Sequence, residues 1–436
     1  MKYTSQGEKH DEFVQKYIDI VVATLLKEIP DLKSIVLSGG FGRGEGSLEE
    51  KDGQLVPVND FEIYLVAEYK ISEEKLNRAA NEASKNLKFK NWGVPFYTFS
   101  REDYADTFYI DMKAFQPEEL KKVLPMIKYY ELRNASTVVW GEDYLKNIPD
   151  FKVEDLPLAE GFRILLNRIS MLCCYFSADF IKNKMSREEK HGFLYIAGKT
   201  LVDIPTALLL LNNKFKPTYH ERTNIFSKCY KTDFKELHKT IPGLPKVVEE
   251  GLNFKSNPDF SVKIDQFETF NKFRNNAGEA AKYFISKMVN KKIKSYSQLA
   301  EVIYYDLWAL YYGPYVKHKF KLKAAGGLGV LTTYLVMRFL NLLYFYRLIT
   351  LRKIFYPKCI SNNRAPDITL FTSVIYLIYC IKDNGEINLD MLSKARYYLQ
   401  KVYPVFDKSE EPKKEWDIIS EALSNAYVLY FFLKIV

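Results

Sequence analysis

Apolar positions recur at helical spacing near the start of the chain and then in short runs typical of strands. Within residues 10–28 they form one stripe, which predicts an amphipathic helix that ends before Pro30. The stripe consists of Phe13, Tyr17, Ile20, Val21 and Leu25. Short apolar runs bounded by polar or glycine residues predict strands at 34–38, 61–66, 95–100, 108–115 and 137–140, with a polar helix at 71–90.

From about residue 155 the pattern changes to long runs at helical spacing, such as 158–181 and 195–211, and no strand pattern of comparable strength follows. A mixed sheet with flanking helices, followed by a large all-α region, belongs to the α+β class. The chain is also longer than a typical single core. We therefore predict three units: 1–150 with the sheet, 151–290 helical, and 291–436 helical.

Charge is divided unevenly along the chain, whose net charge is +9. Residues 1–150 hold 20 basic against 26 acidic residues, whereas the remainder holds 43 basic against 28 acidic residues. An acidic unit is suited to cations and a basic unit to an anionic partner. The alternative is that two differently charged domains are simply joined.

Cysteine and histidine usage argues against a disulfide framework or a structural zinc site. The cysteines are Cys173, Cys174, Cys229, Cys359 and Cys380, and they show no paired spacing. The five histidines have no zinc-binding spacing with one another or with the cysteines. The first thirty residues are charged throughout, unlike a secretory signal. We therefore expect free buried thiols and a cytoplasmic location.

Two carboxylates separated by one residue mark the second predicted strand. Asp60 and Glu62 point to the same face, because side chains alternate along a strand. Two hard oxygen ligands side by side suit Mg²⁺, with Mn²⁺ as the alternative. Asp111, on another predicted strand, would supply a third carboxylate as a general base or as a ligand to a second metal. Equally weighted is the alternative that Asp111 is a surface acid beside Lys113.

A glycine cluster follows the first predicted strand. Gly39 and Gly40 come directly after it, where backbone N–H groups bind phosphate without side-chain interference. Ser38 and Ser47 would add hydroxyl contacts, and Arg43 would add charge to a phosphate oxygen. With the carboxylates, these residues predict a phosphoryl-transfer site that works by positioning and electrostatics.

The order of these features resembles the polymerase-β-like nucleotidyltransferase superfamily over about residues 30–145. The matching residues are Gly39-Gly40 and Asp60-Phe61-Glu62, with Asp111 as the third carboxylate. The resemblance implies a nucleotidyltransferase-type mixed sheet. It also implies an enzyme that transfers a nucleoside monophosphate from a nucleoside triphosphate to an acceptor and releases pyrophosphate.

Two departures from that family pattern are visible. Nineteen residues separate Gly40 from Asp60, more than in minimal members, which predicts a loop or hairpin inserted around 49–58. Glu62 replaces the commoner second aspartate, which keeps the charge and lengthens the arm.

The helical region resembles the partner domain of small-molecule nucleotidyltransferases around 198–222. The resemblance implies that Lys199 reaches the triphosphate and that Arg222 caps the site, if the helical region folds over the sheet. The alternative, slightly favoured by the sequence, is that both are solvated residues at helix ends.

A basic and apolar stretch runs from Leu307 to Pro366 without any Asp or Glu. Its basic residues are Lys317, Lys319, Lys321, Lys323, Arg338, Arg347, Arg352, Lys353, Lys358 and Arg364. Because Arg338 interrupts the longest apolar run, we expect no transmembrane span. The first expectation is a buried helix beside a basic substrate groove. The alternatives are peripheral contact of 314–358 with an anionic membrane, and RNA binding.

Two further classes of function remain open from the sequence. One is a nucleotide-binding protein that kept the fold and lost turnover, and the other is an RNA- or membrane-surface-binding protein that acts through the basic helical region. The acceptor of a transferase is equally open. A small hydroxylated molecule, a glycan intermediate, a protein side chain and an RNA end all fit the sequence.

Overall fold

The computed structural model describes residues 1–51, 53–58, 60–89, 108, 110–320 and 327–432. The fold is α+β, as the sequence predicts, with a small mixed sheet near the N-terminus followed by a helical region. We call residues 1–150 the head and residues 151–432 the body. The predicted strand at 95–100 lies outside the described residues.

The head is built on a mixed four-stranded sheet. Its strands are β1 (Leu32–Ser38), β4 (Phe61–Ala67), β5 (Ile110–Phe115) and β6 (Thr137–Gly141), in the order β5-β4-β1-β6. β4 runs parallel to β5, and β1 runs antiparallel to both β4 and β6. A separate hairpin, β2 (Leu48–Lys51) and β3 (Gln54–Pro57), occupies the predicted insertion.

Two long helices of the head contact each other beside the sheet, namely α1 (Glu8–Glu28) and α3 (Glu73–Asn86). The shorter helices of the head are α2 (Gly39–Gly42), α4 (Pro117–Leu120) and α5 (Ile127–Ala135). The buried face of α1 carries Val14, Ile18, Val21 and Leu25. Ile20 is 39% exposed. Its place in the predicted stripe was therefore wrong, because the packed face lies closer to Val14 and Ile18.

The body consists of helices packed around one core. They are α6 (Leu158–Cys174), α7 (Arg187–Leu208), α8 (Tyr219–Asp233), α9 (Lys235–Thr240), α10 (Leu244–Ser256), α11 (Gln266–Val289), α12 (Tyr296–Tyr305), α13 (Leu307–Phe320), α14 (Gly327–Arg352), α15 (Pro366–Cys380), α16 (Leu389–Leu399) and α17 (Pro412–Tyr427), with a π-helical turn at Val428–Phe432. A single hydrophobic cluster includes buried side chains from α6 to the π-helical turn. Every residue of α15 is buried. All five cysteines are free and buried, as predicted.

In the described part of the chain, two helical segments, Arg187–Asn212 and Leu328–Arg352, are long and apolar enough to cross a membrane by length and composition alone. The first is almost wholly buried and belongs to the core, whereas most of the second is not buried. Within the basic and apolar stretch, α14 therefore differs from the buried helix that the sequence analysis expected first. One face of α14 packs on the body and the other is exposed.

Candidate active site

Sheet register brings the predicted phosphate-binding turn and two of the predicted carboxylates together. Ser38, the last residue of β1, pairs with Glu62 on β4, and Glu62 pairs with Asp111 on β5. Directly paired residues of neighbouring strands point to the same face of a sheet. Asp60 precedes Glu62 by two residues, so all three acids lie at one end of the sheet beside the turn that begins at Gly39.

Gly39 lies directly against the Glu62 side chain. Its φ of +64° falls in the left-handed region. A Cβ atom at this position would lie 2.8 Å from both Cδ and Oε1 of Glu62. Glycine is therefore required at this position for two reasons: the backbone conformation is left-handed, and the glutamate carboxyl group approaches the turn closely.

Gly39→Ala should strain the turn and displace the Glu62 carboxylate. We expect the free energy of unfolding to fall by about 1–2 kcal/mol from the left-handed backbone alone, and Mg²⁺-dependent nucleotide binding to be lost. Gly53→Ala is the matched control, because Gly53 has a φ of +76° and nothing within 4 Å of an added Cβ atom. Urea unfolding and nucleotide titration would separate the two effects. Unchanged nucleotide affinity in Gly39→Ala would contradict a ligand role for Glu62.

Asp60 and Glu62 sit where negative charge is unfavourable without a cation. Burial, followed by the charges of Asp60 and Asp111, raises the pKa of Glu62 to about 7, although Arg43 opposes the shift. Burial also raises the pKa of Asp60, with Asp111 adding to the shift and Lys199 opposing it. Asp111 is partly accessible, with 37% of its side chain exposed and Oδ2 3.8 Å from Lys113 Nζ.

The site offers two carboxylates to a divalent cation. Among the residues that the structure describes, no group of three or more His, Cys, Asp or Glu side chains is placed to hold a metal ion. Mg²⁺ does not require one, since it is usually held by one or two carboxylates together with substrate phosphates and water. Two half-buried carboxylates with raised pKa values beside a glycine turn match that partial donor set.

The raised pKa of Glu62 should make the metal-free protein less stable as pH rises. Between the ordinary value of 4.5 and about 7, the unfolded chain releases this proton while the folded protein keeps it. The free energy of unfolding therefore decreases across that window and levels off above pH 7. Glu62→Gln removes the effect, so we expect the variant to exceed wild type by about 1–3 kcal/mol at pH 8 and by little at pH 4.5.

Urea unfolding with a chelator at both pH values measures this difference, and Glu74→Gln on the exposed side of α3 serves as the control. If the free energies of unfolding of Glu62→Gln and wild type differed by the same amount at both pH values, the pKa of Glu62 would not be raised in the folded protein.

Lys199 lies beside the acids, on α7. Its Nζ is 4.6 Å from the centre of the Tyr195 ring. Burial opposes its charge, but Tyr195 and Asp60 together raise its pKa. The expectation that Lys199 is a solvated residue at a helix end was wrong, because α7 packs against other helices and presents the mid-helix lysine to the head.

Arg168 on α6 is a functional candidate that the sequence analysis missed. Its Nε donates to Asp203 Oδ2 at 2.5 Å. Burial raises the pKa of Asp60, and the charge of Arg168 opposes that shift. Burial lowers the pKa of Lys199, and Arg168 adds to this effect, whereas Tyr195 and Asp60 outweigh both. Two arginines within the largely apolar run of α6, Arg163 and Arg168, were the available signal, because buried charges are retained mainly where they are paired or functional.

Further basic side chains of the head lie near Asp111. Lys113 Nζ is 3.8 Å from Asp111 Oδ2. Burial, followed by the charges of Lys113 and Arg163, lowers the pKa of Lys128 to about 8, while Glu160 and Asp111 oppose the shift. Basic side chains of the head therefore act on Asp111, and Lys199 and Arg168 of the body act on Asp60.

Arg222 does not face solvent, contrary to the favoured alternative. Its side chain is 1% exposed and pairs with Glu131 of the head. Other guanidinium donors reach Thr206 Oγ1 at 2.9 Å and the carbonyl of Pro217 at 2.9 Å. The Glu131 pair thus reaches the head while the other donors hold residues of the body, so Arg222 stabilises the junction.

Arg43 and Ser47 take part in the same junction. Arg43 Nη1 donates to Glu131 at 2.8 Å, and its Nε lies 3.3 Å from Glu45. Ser47 donates to the backbone carbonyl of Lys255. Lys255 Nζ in turn donates to the Glu45 carbonyl at 2.8 Å. Of the predicted phosphate contacts, Ser38, Gly39 and Gly40 thus remain beside the acids, whereas Arg43 and Ser47 serve the junction.

Comparison of the chain with protein-family models, with curated proteins and with solved structures finds no match.

Proposed function

We propose that this protein is a metal-dependent nucleotidyltransferase of the polymerase-β-like type. The observation that carries the proposal is the position of the Glu62 carboxyl group against the left-handed Gly39 turn, with Asp111 paired beside Glu62 on the next strand. The same juxtaposition of a phosphate-binding turn with an acid-x-acid strand defines the family that the sequence resembles. Lys199, supplied by the body, adds positive charge on the side of Asp60.

In this proposal Asp60 and Glu62 hold Mg²⁺ or Mn²⁺. A cation held there would neutralise charge on the triphosphate and on the leaving pyrophosphate. The backbone N–H groups of Gly39 and Gly40 bind phosphate oxygens, while Lys199 and Arg168 supply positive charge from the body.

Asp111 acts on the acceptor. Its partly exposed carboxylate takes the proton of an acceptor hydroxyl as that oxygen forms a bond to the α-phosphorus. The bond between the α-phosphorus and the bridging oxygen breaks, and pyrophosphate leaves. Lys113 and Lys128 near Asp111 favour an acceptor that carries negative charge near its hydroxyl.

The test is incubation of the full chain with each α-labelled nucleoside triphosphate and Mg²⁺, across anionic and neutral hydroxylated acceptors, sugars, protein and RNA. We expect pyrophosphate release and label transfer with one nucleotide, both abolished by a chelator and restored by Mg²⁺ or Mn²⁺. Nucleotide binding without release across all acceptors would favour a nucleotide-binding protein without turnover. Absence of nucleotide binding in the presence of Mg²⁺ would reject the proposal.

A further inference from the structure

Helix α14 exposes a continuous apolar stripe to solvent. Its members recur every three or four residues and therefore lie on one face of the helix. They are Leu328, Leu331, Leu335, Phe339, Leu342, Tyr346 and Ile349, with exposed fractions between 36% and 66%. Isolated exposed apolar residues are ordinary, but a stripe along a 26-residue helix marks a surface that something covers.

The opposite face of α14 is fastened to the body. Met337, Tyr344 and Leu348 are fully buried. The Asn341 side-chain amide donates to the carbonyl of Asn362 at 2.9 Å, and Arg338 Nη1 donates to the same carbonyl at 3.0 Å. A helix held along its length by packing and polar contacts lies flat on the body. The stripe therefore lies along the outer surface of the body.

The charge of this region indicates which kind of partner covers the apolar stripe. No Asp or Glu occurs in the sequence from Leu307 to Pro366, while ten Lys and Arg residues do. Lys353 and Lys358 are exposed just beyond the end of the helix. If a second copy of the chain covered the stripe, the positive charges of the two copies would lie against each other and repel. RNA is recognised through flat aromatic platforms, whereas this stripe is mainly leucine.

We propose that α14 is an interfacial helix by which the protein binds the surface of a bilayer that contains anionic lipids. The apolar stripe enters the boundary between headgroups and acyl chains, and the flanking lysines contact lipid phosphates. The helix is about 39 Å long at 1.5 Å per residue, which is long enough to lie in the plane as an extended contact. This inference rests on α14 alone and does not depend on the proposed activity.

The test is sedimentation of the full chain with vesicles of neutral phosphatidylcholine, with and without anionic phosphatidylglycerol. We expect binding to the anionic vesicles that weakens with salt. The triple substitution Leu335→Ser, Phe339→Ser and Leu342→Ser should weaken it about a hundredfold, because three apolar side chains no longer enter the membrane. The matched control replaces Leu389, Tyr397 and Phe406 with serine, since these side chains are equally exposed elsewhere on the body.

The lysines provide a second readout. Lys353→Gln and Lys358→Gln should each weaken binding to anionic vesicles about fivefold at low salt and should not affect the weaker binding to neutral ones. A wild-type monomer that does not sediment with anionic vesicles would overturn the inference. A dimer that the triple substitution dissociates would overturn it too, because the stripe would then be covered by a second copy.

Discussion

Joint replacement of Asp60 by Asn and Glu62 by Gln is expected to lower nucleotidyl transfer at least about a thousandfold. Both substitutions keep the shape of the side chain and remove its charge, so the cation loses the two carboxylates that face the glycine turn. Metal-assisted charge stabilisation contributes several kcal/mol to transition states of this kind, which corresponds to a factor of this size. Because both acids have raised pKa values without metal, the folded variant should be at least as stable as wild type at pH 8.

The control for this prediction is Glu68→Gln with Glu74→Gln, which removes two exposed acids from the same domain. Transfer rates under saturating nucleotide and thermal unfolding at pH 8 measure activity and stability separately. Transfer within tenfold of wild type in a well-folded double variant would contradict the assignment of these two acids.

Arg222→Met should lower the free energy of unfolding by about 3–5 kcal/mol. The substitution roughly keeps the buried volume, but it removes one of the two arginine partners of Glu131 and leaves the carbonyl groups of Lys216 and Pro217 without their guanidinium donors. Buried acceptors that lose their donors carry the full cost of their desolvation.

Lys228→Met tests whether any loss of charge from the same helix has this effect. Lys228 is exposed on α8, so we expect a change within about 0.5 kcal/mol. Urea unfolding of both variants gives the comparison. A loss below about 1 kcal/mol for Arg222→Met would show that the junction does not depend on this arginine.

Features encoded in short stretches of sequence were predicted well. Three elements near the site depend only on local alternation and turn residues. They are the strand that begins at Phe61, the hairpin inserted before it and the strand that ends at Ser38. The register that places Glu62 between Ser38 and Asp111 agrees with the predicted grouping, because neighbouring strands in a small sheet leave few arrangements for their ends.

Features that depend on docking between distant segments were not predictable. Nothing near Arg222 in the chain indicates that Glu131, far away in sequence, neutralises it, and Lys199 appears as an ordinary helix lysine until α7 is placed beside Asp60. The composition of α14 is equally compatible with a buried helix and with one that packs by a single face. In each case burial is decided by the partner surface, which local pattern does not specify.

The junction between head and body limits how this molecule can move. Glu131 is shared by Arg43 and Arg222, and the ring of Tyr219 lies within about 5 Å of both guanidinium groups. A hinge motion that moved the head away from the body would separate these pairs and leave their buried charges without partners. We therefore expect the head and the body to keep one relative position, so that the proposed site would select a nucleotide by its preformed shape rather than by closing around it.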